Sequence, residues 1–237
     1  MHTLRVIGAG RAGQSLARAL ERAGWRIDGL LGRGDDVGGA AGGVDLLVIA
    51  TPDAAVADVA AAVEPVADTV VAHMAGSLGL DVLAPHARRA SVHPLVSLPD
   101  PELGARRLAD KAWFAVAGDR FAVEVVASLR GRSFTVDDEH RAAYHAAASI
   151  AANHLVALLA QVERIAARVG VPFEAYVDLA RATLDNVAVL GPATALTGPA
   201  ARGDAATLEH HLAALEPDER PAYEALAAEA RRLACES

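Results

Sequence analysis

The sequence predicts an α/β domain with a doubly wound, mostly parallel sheet over residues 1–136, followed by an all-α domain over residues 137–237. In the first part, short runs of Val, Ile and Leu alternate with helical patterns, which is typical of a parallel sheet covered by helices on both faces. In the second part the apolar period is helical, and Gly-Pro pairs and single prolines separate the helical patterns. These two observations set the expected domain boundary near residue 136.

The predicted elements of the α/β part follow one another in regular order. Strands are expected at 4–8, 25–32, 44–50 and 68–74, and helices at 11–24 and 54–63. The glycine-rich patch 38–43 lies where a full crossover helix would otherwise connect two strands. Because glycine weakens a helix interior, we expect a loop there.

The all-α part begins with a long helical pattern. Residues 137–139 supply the acidic first turn that a helix dipole favours, and the pattern runs to about Val169 before Gly170 and Pro172 end it. Most of its residues are alanine or larger apolar residues, so we expect this helix to be buried nearly all round. Further helices are expected at roughly 173–190, 204–214 and 218–233.

Composition and charge narrow the possible function classes. The net charge of −8 does not favour binding to nucleic acid or to an anionic membrane, because both are negatively charged. No stretch of about 18 apolar residues runs without a charge or a proline, which argues against a membrane span. A strand-like run begins at once, so no signal peptide is expected, and the one cysteine, Cys235, fits a reducing compartment. We therefore expect a cytoplasmic protein.

The first strand is followed by a Gly-x-Gly-x-x-Gly motif and then by a helix. In this context Gly8 makes a tight turn, Gly10 lets a pyrophosphate approach the backbone, and Gly13 lets the helix pack on the strand. The free N–H groups of the helix start, which includes Arg11 and Ala12, favour phosphate. The motif predicts a dinucleotide site of Rossmann type; the alternative is that the glycines serve only a tight turn.

The end of the second strand indicates which dinucleotide binds. A carboxylate there would bind the ribose 2′-hydroxyl of NAD, but the chain has Arg33 instead. An arginine pairs well with a 2′-phosphate, which favours NADP(H) over NAD(H). The alternative is that Arg33 is a solvated surface residue and that Asp35 or Asp36 binds the ribose.

Polar residues also follow the later strands, at the edge where ligands bind in open α/β sheets. We expect Thr51, Pro52 and Asp53 near the nicotinamide ribose. The segment from His73 to Ser77 and the residue His93 end two further strands. Either histidine is a candidate for substrate contact, with a structural hydrogen bond as the alternative.

Three polar residues recur every four positions on the long helix. These are His145, Ser149 and Asn153, which on an α-helix form one polar stripe. Buried polar groups need partners. A stripe facing a cleft would find them in substrate and cofactor; the alternative is a hydrogen-bonded seam between helices.

The whole chain resembles the Rossmann-like and DUF2520 domain-containing proteins of the wider 6-phosphogluconate dehydrogenase-like superfamily. Relatives there are ketopantoate reductase, prephenate dehydrogenase and pyrroline-5-carboxylate reductase. The segments that carry the resemblance are GAGRAG, VIATPD, HMAGS, SVHPL, AASIAANHL, and TGPAARGD followed by His210, His211 and Leu212. The resemblance implies an NADP-binding domain, a helical domain that pairs with a second subunit, and a substrate cleft between the two domains.

Two departures from the superfamily pattern affect the chemistry. Ketopantoate reductases and related hydroxyacid dehydrogenases place a lysine one turn before an asparagine on this helix. Here Asn153 is kept, Ser149 stands at the lysine position, and the only lysine, Lys111, lies in the other domain. The family's His-x-Ser-Gly segment also differs, because Ala75 precedes Gly76.

A reductase without that lysine needs another proton donor, because hydride addition to a carbonyl leaves negative charge on oxygen. His145 is the first candidate and His93 the second, since histidine titrates near neutral pH. Asn153 could donate a hydrogen bond to the same oxygen. Arg202 is a candidate clamp for a substrate carboxylate; the alternative is that Asp204 caps the next helix and Arg202 pairs with it.

These residues predict an NADP(H)-dependent oxidoreductase that reduces a small oxo acid or an imine. The alternative is a dinucleotide-binding sensor or regulatory protein without robust catalysis, which the missing lysine favours. No metal is expected, because neither His140 with His145 nor His210 with His211 has the four-residue spacing of two ligands on one helix face. The alanine-rich helices and the resemblance predict a homodimer formed through the helical domain.

Overall fold

The computed structural model describes residues 1–235 of the 237-residue chain. Two compact units are present, the first being Met1–Ala152 and the second beginning at Asn153. The first unit therefore continues past the boundary expected at residue 136 and includes the start of the long helix. Side chains of that helix start, such as Arg141 and Tyr144, bond to strand residues, which explains why it belongs to the first unit.

The first unit is built on one seven-stranded sheet with the order β2-β1-β3-β4-β5-β6-β7. All neighbouring strands are parallel except β5 and β6, which are antiparallel. The strands are β1 (Thr3–Ile7), β2 (Arg26–Leu31), β3 (Leu46–Ile49), β4 (Val70–His73), β5 (Arg89–Pro94), β6 (Trp113–Gly118) and β7 (Arg132–Thr135). The predicted doubly wound, mostly parallel α/β fold is confirmed.

Helices cover both faces of this sheet. They are α1 (Arg11–Arg22), α2 (Val56–Ala62), α3 (Pro101–Leu108), α4 (Phe121–Ser128) and α5 (Arg141–Ser149). Between β2 and β3 a single 3₁₀ turn, Gly38–Ala41, replaces a crossover helix, as the glycine-rich patch predicts.

The alternation of side chains along each strand produces two apolar clusters, one on each face. One cluster contains Leu4, Val6 and Phe114 with the apolar faces of α1 and α4. The other contains Leu47 and Ile49 with α2 and the 3₁₀ turns. The central strands β3 and β4 are buried at every position, which is the reason for their nearly uninterrupted apolar sequence.

Helices α1 and α3 lie on the same face and approach each other closely at a glycine. A Cβ atom built on Gly104 would lie 2.1 Å from Ser15 Oγ and 2.8 Å from Ser15 Cβ. Ser15 is fully buried, and its hydroxyl donates a hydrogen bond to the Arg11 carbonyl at 2.6 Å. The serine cannot move aside without losing that bond, so this helix pair requires glycine at position 104.

The second unit consists of helices. They are α6 (Leu155–Val169), α7 (Phe173–Leu190), α8 (Pro192–Ala195), α9 (Ala205–Ala214) and α10 (Arg220–Cys235). Gly170 ends α6 in the left-handed conformation at φ 71°, and Asp204 caps α9 by accepting a hydrogen bond from the Thr207 N–H at 3.1 Å. The helices predicted at 173–190 and 204–214 are thereby confirmed, and the last one lies two residues later than predicted.

The segment between α5 and α6 is not α-helical. Ile150–His154 forms a π-helical turn, which joins the two α-helices into the one long helical segment that the sequence predicts. The prediction that this segment is buried nearly all round is wrong for the single chain: Ile150 is 58% exposed and Val156 is 67% exposed. The apolar composition therefore does not correspond to a core within one copy of the chain.

Contrary to the expectation from the sequence, one helical segment, Asp138–Val169, is long and apolar enough to cross a membrane when judged by length and composition alone, with a mean hydropathy of 1.3 over its best window. A single segment of this kind is weak evidence for a membrane span.

We expect Gly104→Ala to destabilise the first unit by about 1–3 kcal/mol, because the added methyl group overpacks the contact between α1 and α3. The urea midpoint of Trp25 fluorescence, a buried reporter next to the end of α1, should fall. Gly39→Ala is the matched control, since nothing lies within 4 Å of its Cβ position. Equal midpoints for the two variants would contradict the close approach.

Candidate functional site

The turn between β1 and α1 requires two of its three glycines for steric reasons. Gly8 has φ +110°, and a Cβ there would lie 2.6 Å from the Ala50 carbonyl at the end of β3. A Cβ on Gly13 would lie 2.1 Å from the Gly8 carbonyl oxygen. Gly10 differs, because nothing lies within 4 Å of its Cβ position. The turn is thus packed tightly on the side of the sheet and open at Gly10.

The start of α1 is suited to an anion. Gly10 is its N-cap and offers no side-chain hydrogen bond to the first turn, and that turn contains no acidic residue. Its N–H groups and the positive end of the helix dipole therefore face the open side of Gly10 without a competing carboxylate. Arg11 and Ala12 begin the helix beside it. These residues fit the pyrophosphate of a dinucleotide.

The two carboxylates after β2 accept hydrogen bonds from backbone N–H groups of the same loop. Asp35 accepts a hydrogen bond from the Gly32 N–H at 2.7 Å, and Asp36 accepts one from the Gly38 N–H at 2.9 Å. Arg33 is exposed, and no hydrogen bond or ion pair of its side chain is found among residues 1–235. At the adenosine end of the predicted site the available group is therefore a guanidinium.

The end of β3 contributes one orphaned polar atom and one carboxylate. The Thr51 hydroxyl oxygen is buried and has no hydrogen-bond partner in the described part of the chain. Pro52 follows it, and the next residue, Asp53, accepts a hydrogen bond from the Ser77 hydroxyl at 2.7 Å. Because buried hydroxyls are normally paired, Thr51 is a polar group suited to a bound ligand. The structure thus brings Thr51, Asp53 and Ser77 to one edge of the sheet.

The imidazole of His73 is held entirely by the backbone. Its side chain is fully buried, Nδ1 accepts a hydrogen bond from the Ala75 N–H at 3.2 Å, and Nε2 lies 3.2 Å from the Gly79 carbonyl oxygen. Burial lowers the pKa of His73, so the ring is neutral near pH 7. With Nδ1 as acceptor, Nε2 donates to Gly79, and neither ring nitrogen faces a ligand. His73 thus has the structural hydrogen bonds that the sequence analysis gave as the alternative to substrate contact.

His93 and His145 converge on Gly76. A Cβ on Gly76 would lie 2.8 Å from both the His145 Cδ2 and the His93 Cε1, so the two rings reach the turn after β4 only because position 76 has no side chain. The ring centroids of the two histidines are 6.1 Å apart. The structure therefore brings both candidate proton donors to one place within the first unit.

Tyr144 completes this cluster and is missing from the sequence-based site. Its hydroxyl lies 2.6 Å from His93 Nδ1, and the two rings meet edge to face with centroids 5.5 Å apart. Sequence reasoning missed it because the four-residue stripe selects His145 and passes over its neighbour. The signal available was an aromatic hydroxyl beside a candidate histidine on the same helix.

A buried arginine lies beside the cluster. The side chain of Arg141, at the start of α5, is 3% exposed and donates from Nε to an Asp138 carboxylate oxygen at 2.8 Å. Its Nη1 lies 3.5 Å from the Ser91 hydroxyl on β5. The positive charge of Arg141 lowers the pKa values of His73 and His93, in addition to the larger effect of burial. It therefore favours neutral imidazoles in this part of the sheet.

The remaining predicted residues are described within their own elements. Ser149 is the last residue of α5 and is half-buried. Asn153 is exposed within the π-helical turn, so it does not follow His145 and Ser149 at regular α-helical spacing. Arg202 is exposed and forms no ion pair within residues 1–235, whereas Asp204 bonds to Thr207. The capping role expected for Asp204 is confirmed, but its direct pairing with Arg202 is not found.

One group of possible metal ligands is present in the described part of the chain. Ligand atoms of Asp137, Glu139 and His140 lie within 4.8 Å of one another, and all three residues are exposed. Exposed acidic groups commonly cluster in this way without binding an ion. We therefore assign no metal site to this group.

Comparison with solved structures finds the same fold in several enzymes. A protein from Bacteroides fragilis, provisionally assigned as an NADP oxidoreductase, is 23% identical with a TM-score of 0.80, and the match covers 98% of each chain. A reductive aminase from Aspergillus terreus, solved with NADPH and ethyl-5-oxohexanoate, is 18% identical with a TM-score of 0.70, covering 98% of this chain and 94% of that one.

A pyrroline carboxylate reductase from Plasmodium falciparum, solved with NADP bound, is 13% identical with a TM-score of 0.66, and the match covers 99% of this chain and 96% of that one. At these identities the similarity establishes a shared fold. No curated protein sequence matches the chain.

A family model provides the remaining comparison. Residues 114–230 match the family described as a domain of unknown function, DUF2520. This match and the shared fold confirm the resemblance inferred from the sequence motifs. Residues 114–230 are therefore similar to the DUF2520 family, in a chain that begins with a Rossmann-like fold.

Proposed function

We propose that this protein is an NADP(H)-dependent oxidoreductase that reduces a small oxo acid or an imine by hydride transfer. The observation that carries the proposal is the turn after β1, which is packed tightly at Gly8 and Gly13 but open at Gly10, in front of a helix start without acidic residues. Such a turn suits a pyrophosphate. The solved structures of the same fold that bind NADPH or NADP support the same cofactor class.

NADP(H) rather than NAD(H) is supported by the residues after β2. The two carboxylates there bond to backbone N–H groups, and the exposed guanidinium of Arg33 remains available. A guanidinium forms charge-assisted hydrogen bonds with a phosphate and gains little from a ribose hydroxyl. The 2′-phosphate of NADP(H) would therefore be bound by Arg33.

The dihydronicotinamide ring supplies the hydride, and the residues of the chain bind, orient and protonate the substrate. We assign the proton transfer to His145 or His93, which meet at Gly76. We assign to Asn153 a hydrogen bond to the reacting oxygen, with Ser149 at the position of the family's lysine. Arg202 would bind a substrate carboxylate, and Ser77, held by Asp53, would help to orient the substrate.

A second candidate function is a dinucleotide-binding sensor without robust catalysis. It is favoured by one observation, the half-buried Ser149 at the position where related hydroxyacid dehydrogenases have an ammonium group. A protein that binds NADPH but transfers no hydride to any small 2-oxo acid or cyclic imine would have this function. The single cysteine, Cys235, is consistent with a cytoplasmic location for either function.

The chain is also proposed to act as a homodimer through its helical part. Among the described residues of the second unit, only Ala166 and Leu208 are buried apolar residues. Large apolar side chains are exposed instead, including Val156, Leu179 and Val189 at 67%, 63% and 82%. An open cavity of about 240 Å³, lined mostly by apolar residues such as Leu158, Leu208 and Leu226, adds to this surface. Exposed large apolar side chains in this number are typical of a unit that forms an interface.

For cofactor binding, titration with NADPH and NADH should quench the fluorescence of Trp113, which lies at the carboxyl edge of the parallel strands, with tighter binding of NADPH. We expect Arg33→Ser to weaken NADPH binding about tenfold or more while changing NADH binding little, because one charge-assisted contact to phosphate is lost. Arg120→Ser is the matched control, since antiparallel β6 places Arg120 at the opposite edge of the sheet. Equal loss for both cofactors in the Arg33 variant would rule out the 2′-phosphate contact.

For the proton and hydrogen-bond donors, His145→Ala and Asn153→Ala should each lower kcat by about 100-fold on any oxo acid or imine that the wild type reduces. The measurement is the loss of NADPH absorbance in a substrate panel. His140→Ala, which removes an exposed histidine, is the control and should keep wild-type turnover. Unchanged turnover in both test variants would refute the assignment of these two residues.

For assembly, sedimentation at micromolar concentration should show a species of twice the 24.4 kDa chain mass. Val189→Glu should shift it towards the single chain, because a charge on an apolar interface is costly to bury. Val123→Glu, at a valine that is 50% exposed on the first unit, is the control and should leave the mass unchanged. A wild type that sediments only as a single chain would disprove the dimer.

A further inference from the structure

We propose that Tyr144 and His93 form a proton relay that ends at the Gly76 turn. In this relay His93 Nε2 gives its proton to the oxygen or nitrogen of the reduced substrate, and the Tyr144 hydroxyl replaces that proton at Nδ1. The relay deepens the proposed reductase function and rests on it. It supplies the acid that the missing helix lysine would otherwise provide, and it adds a residue that neither the sequence motifs nor the family description names.

The geometry of the pair is that of a short, well-oriented hydrogen bond. The Tyr144 oxygen lies 2.6 Å from His93 Nδ1, within the range of strong O–H to N contacts. The Tyr144 ring is held from the other side by Phe134 on β7, with centroids 5.8 Å apart. His93 is fixed by its position at the end of β5. The strands β5 and β7 and the helix α5 therefore hold the Tyr144 hydroxyl against His93 Nδ1.

The other ring nitrogen of His93, Nε2, lies next to Gly76. A Cβ on Gly76 would be 2.9 Å from His93 Nε2 and 2.8 Å from its Cε1, so this edge of the ring reaches the turn itself. No hydrogen bond from Nε2 to a protein group is found among residues 1–235. The donor edge of His93 is consequently available to a ligand at the carboxyl end of the sheet, where ligands of such folds bind.

The protonation states match this role. Burial, helped by the charges of His145, Arg141 and His73 and opposed by that of Asp53, lowers the pKa of His93 to about 4. The ring is thus neutral at pH 7, and burial raises the pKa of Tyr144, which keeps its proton. A neutral imidazole has one acceptor and one donor nitrogen. With the Tyr144 hydroxyl donating to Nδ1, the ring proton lies on Nε2, at the edge that faces Gly76.

The step balances in protons and electrons. A bound dihydronicotinamide would supply the hydride, which carries two electrons and one hydrogen to the substrate carbon, and the substrate oxygen or nitrogen would take one proton from His93 Nε2. The O–H bond of Tyr144 breaks as a new N–H bond forms at Nδ1, which leaves a neutral ring and a tyrosinate. The charge of Arg141 partly offsets the larger effect of burial, which raises the pKa of Tyr144. A solvent proton then binds His93 Nε2 while the Nδ1 proton returns to the Tyr144 oxygen, which restores the starting states of both groups.

The relay is tested first without any substrate. In protein with ¹⁵N-labelled histidine, NMR should show the His93 ring protonated at Nε2 and titrating near pH 4; loss of signals in His93→Gln assigns them. In Tyr144→Phe, which keeps the ring contacts, we expect the preference for the Nε2–H form to weaken because the donor to Nδ1 is gone, while burial still keeps the pKa of His93 low. A His93 ring protonated at Nδ1 in the wild type would overturn the relay.

A matched control exists in the second unit. Tyr223 lies 2.6 Å from His211 Nδ1 with the same edge-to-face geometry, but both residues are exposed or half-buried rather than part of the site. Tyr223→Phe should leave the His93 signals and their titration unchanged. A change in His93 as large as that in Tyr144→Phe would show that the effect is not specific to the pair and would overturn the assignment.

The second test of the relay measures enzyme turnover. On a substrate that the wild type reduces, Tyr144→Phe should lower kcat by about ten- to 100-fold with little change in KM, since the relay acts on proton transfer and not on binding. Wild-type kcat and an unchanged pH profile in this variant would disprove the relay while leaving the reductase proposal intact. A wild type that binds no NADPH would disprove the reductase proposal instead, and the NMR result would still decide the tyrosine–histidine pairing.

Discussion

The close approach between the turn after β1 and the end of β3 is the contact on which the rest of the candidate site depends. Gly8 adopts a backbone conformation that side chains disfavour, and it lies directly against the Ala50 carbonyl. This contact fixes the start of α1 beside the polar residues that follow β3. Without it the helix start would not face Thr51 and Asp53. The anion-binding geometry and the polar edge of the sheet therefore have one common cause.

One face of the sheet is apolar at its centre and polar where helix α5 covers it. On the same face as Leu47 and Ile49, the strands further along the sheet present His73, Ser91 and His93 instead of apolar side chains. Helix α5 covers them with Arg141, Tyr144 and His145. Buried polar groups are stable only when they are paired, and Asp138, the backbone of Gly79 and the Tyr144 hydroxyl provide the partners. Burial, with a smaller contribution from the charge of Arg141, lowers the pKa values of His73 and His93, which links the packing to the protonation chemistry.

The helical unit follows a different physical rule. An apolar helix normally becomes buried in its own chain, but the described residues after Asn153 leave nearly all of their apolar side chains exposed or half-buried. Small residues allow helices to approach closely, and large apolar ones stabilise the contact once it forms. The composition that suggests a buried core thus describes a surface in the single chain. That difference is the physical basis for the proposed dimer.

Periodicity and local motifs determined much of this protein in advance. The alternation of strands and helices, the glycine turn, the caps at Gly170 and Asp204 and the convergence of His93 with the end of β4 all follow from residues close together in sequence or from the rule that parallel strands end at one edge. The sequence also pointed to His145 from its four-residue spacing to Ser149. These features depend on local backbone preference, which a single sequence contains.

Only the tertiary structure decided which of these groups are paired. The contact of the buried Arg141 side chain with Ser91 and that of Tyr144 with His93 join residues about 50 positions apart. The π-helical turn at Ile150–His154 likewise departs from the regular helical spacing assumed for Asn153. Such pairings depend on the distances that packing sets between elements, and periodicity along one element contains no information about those distances.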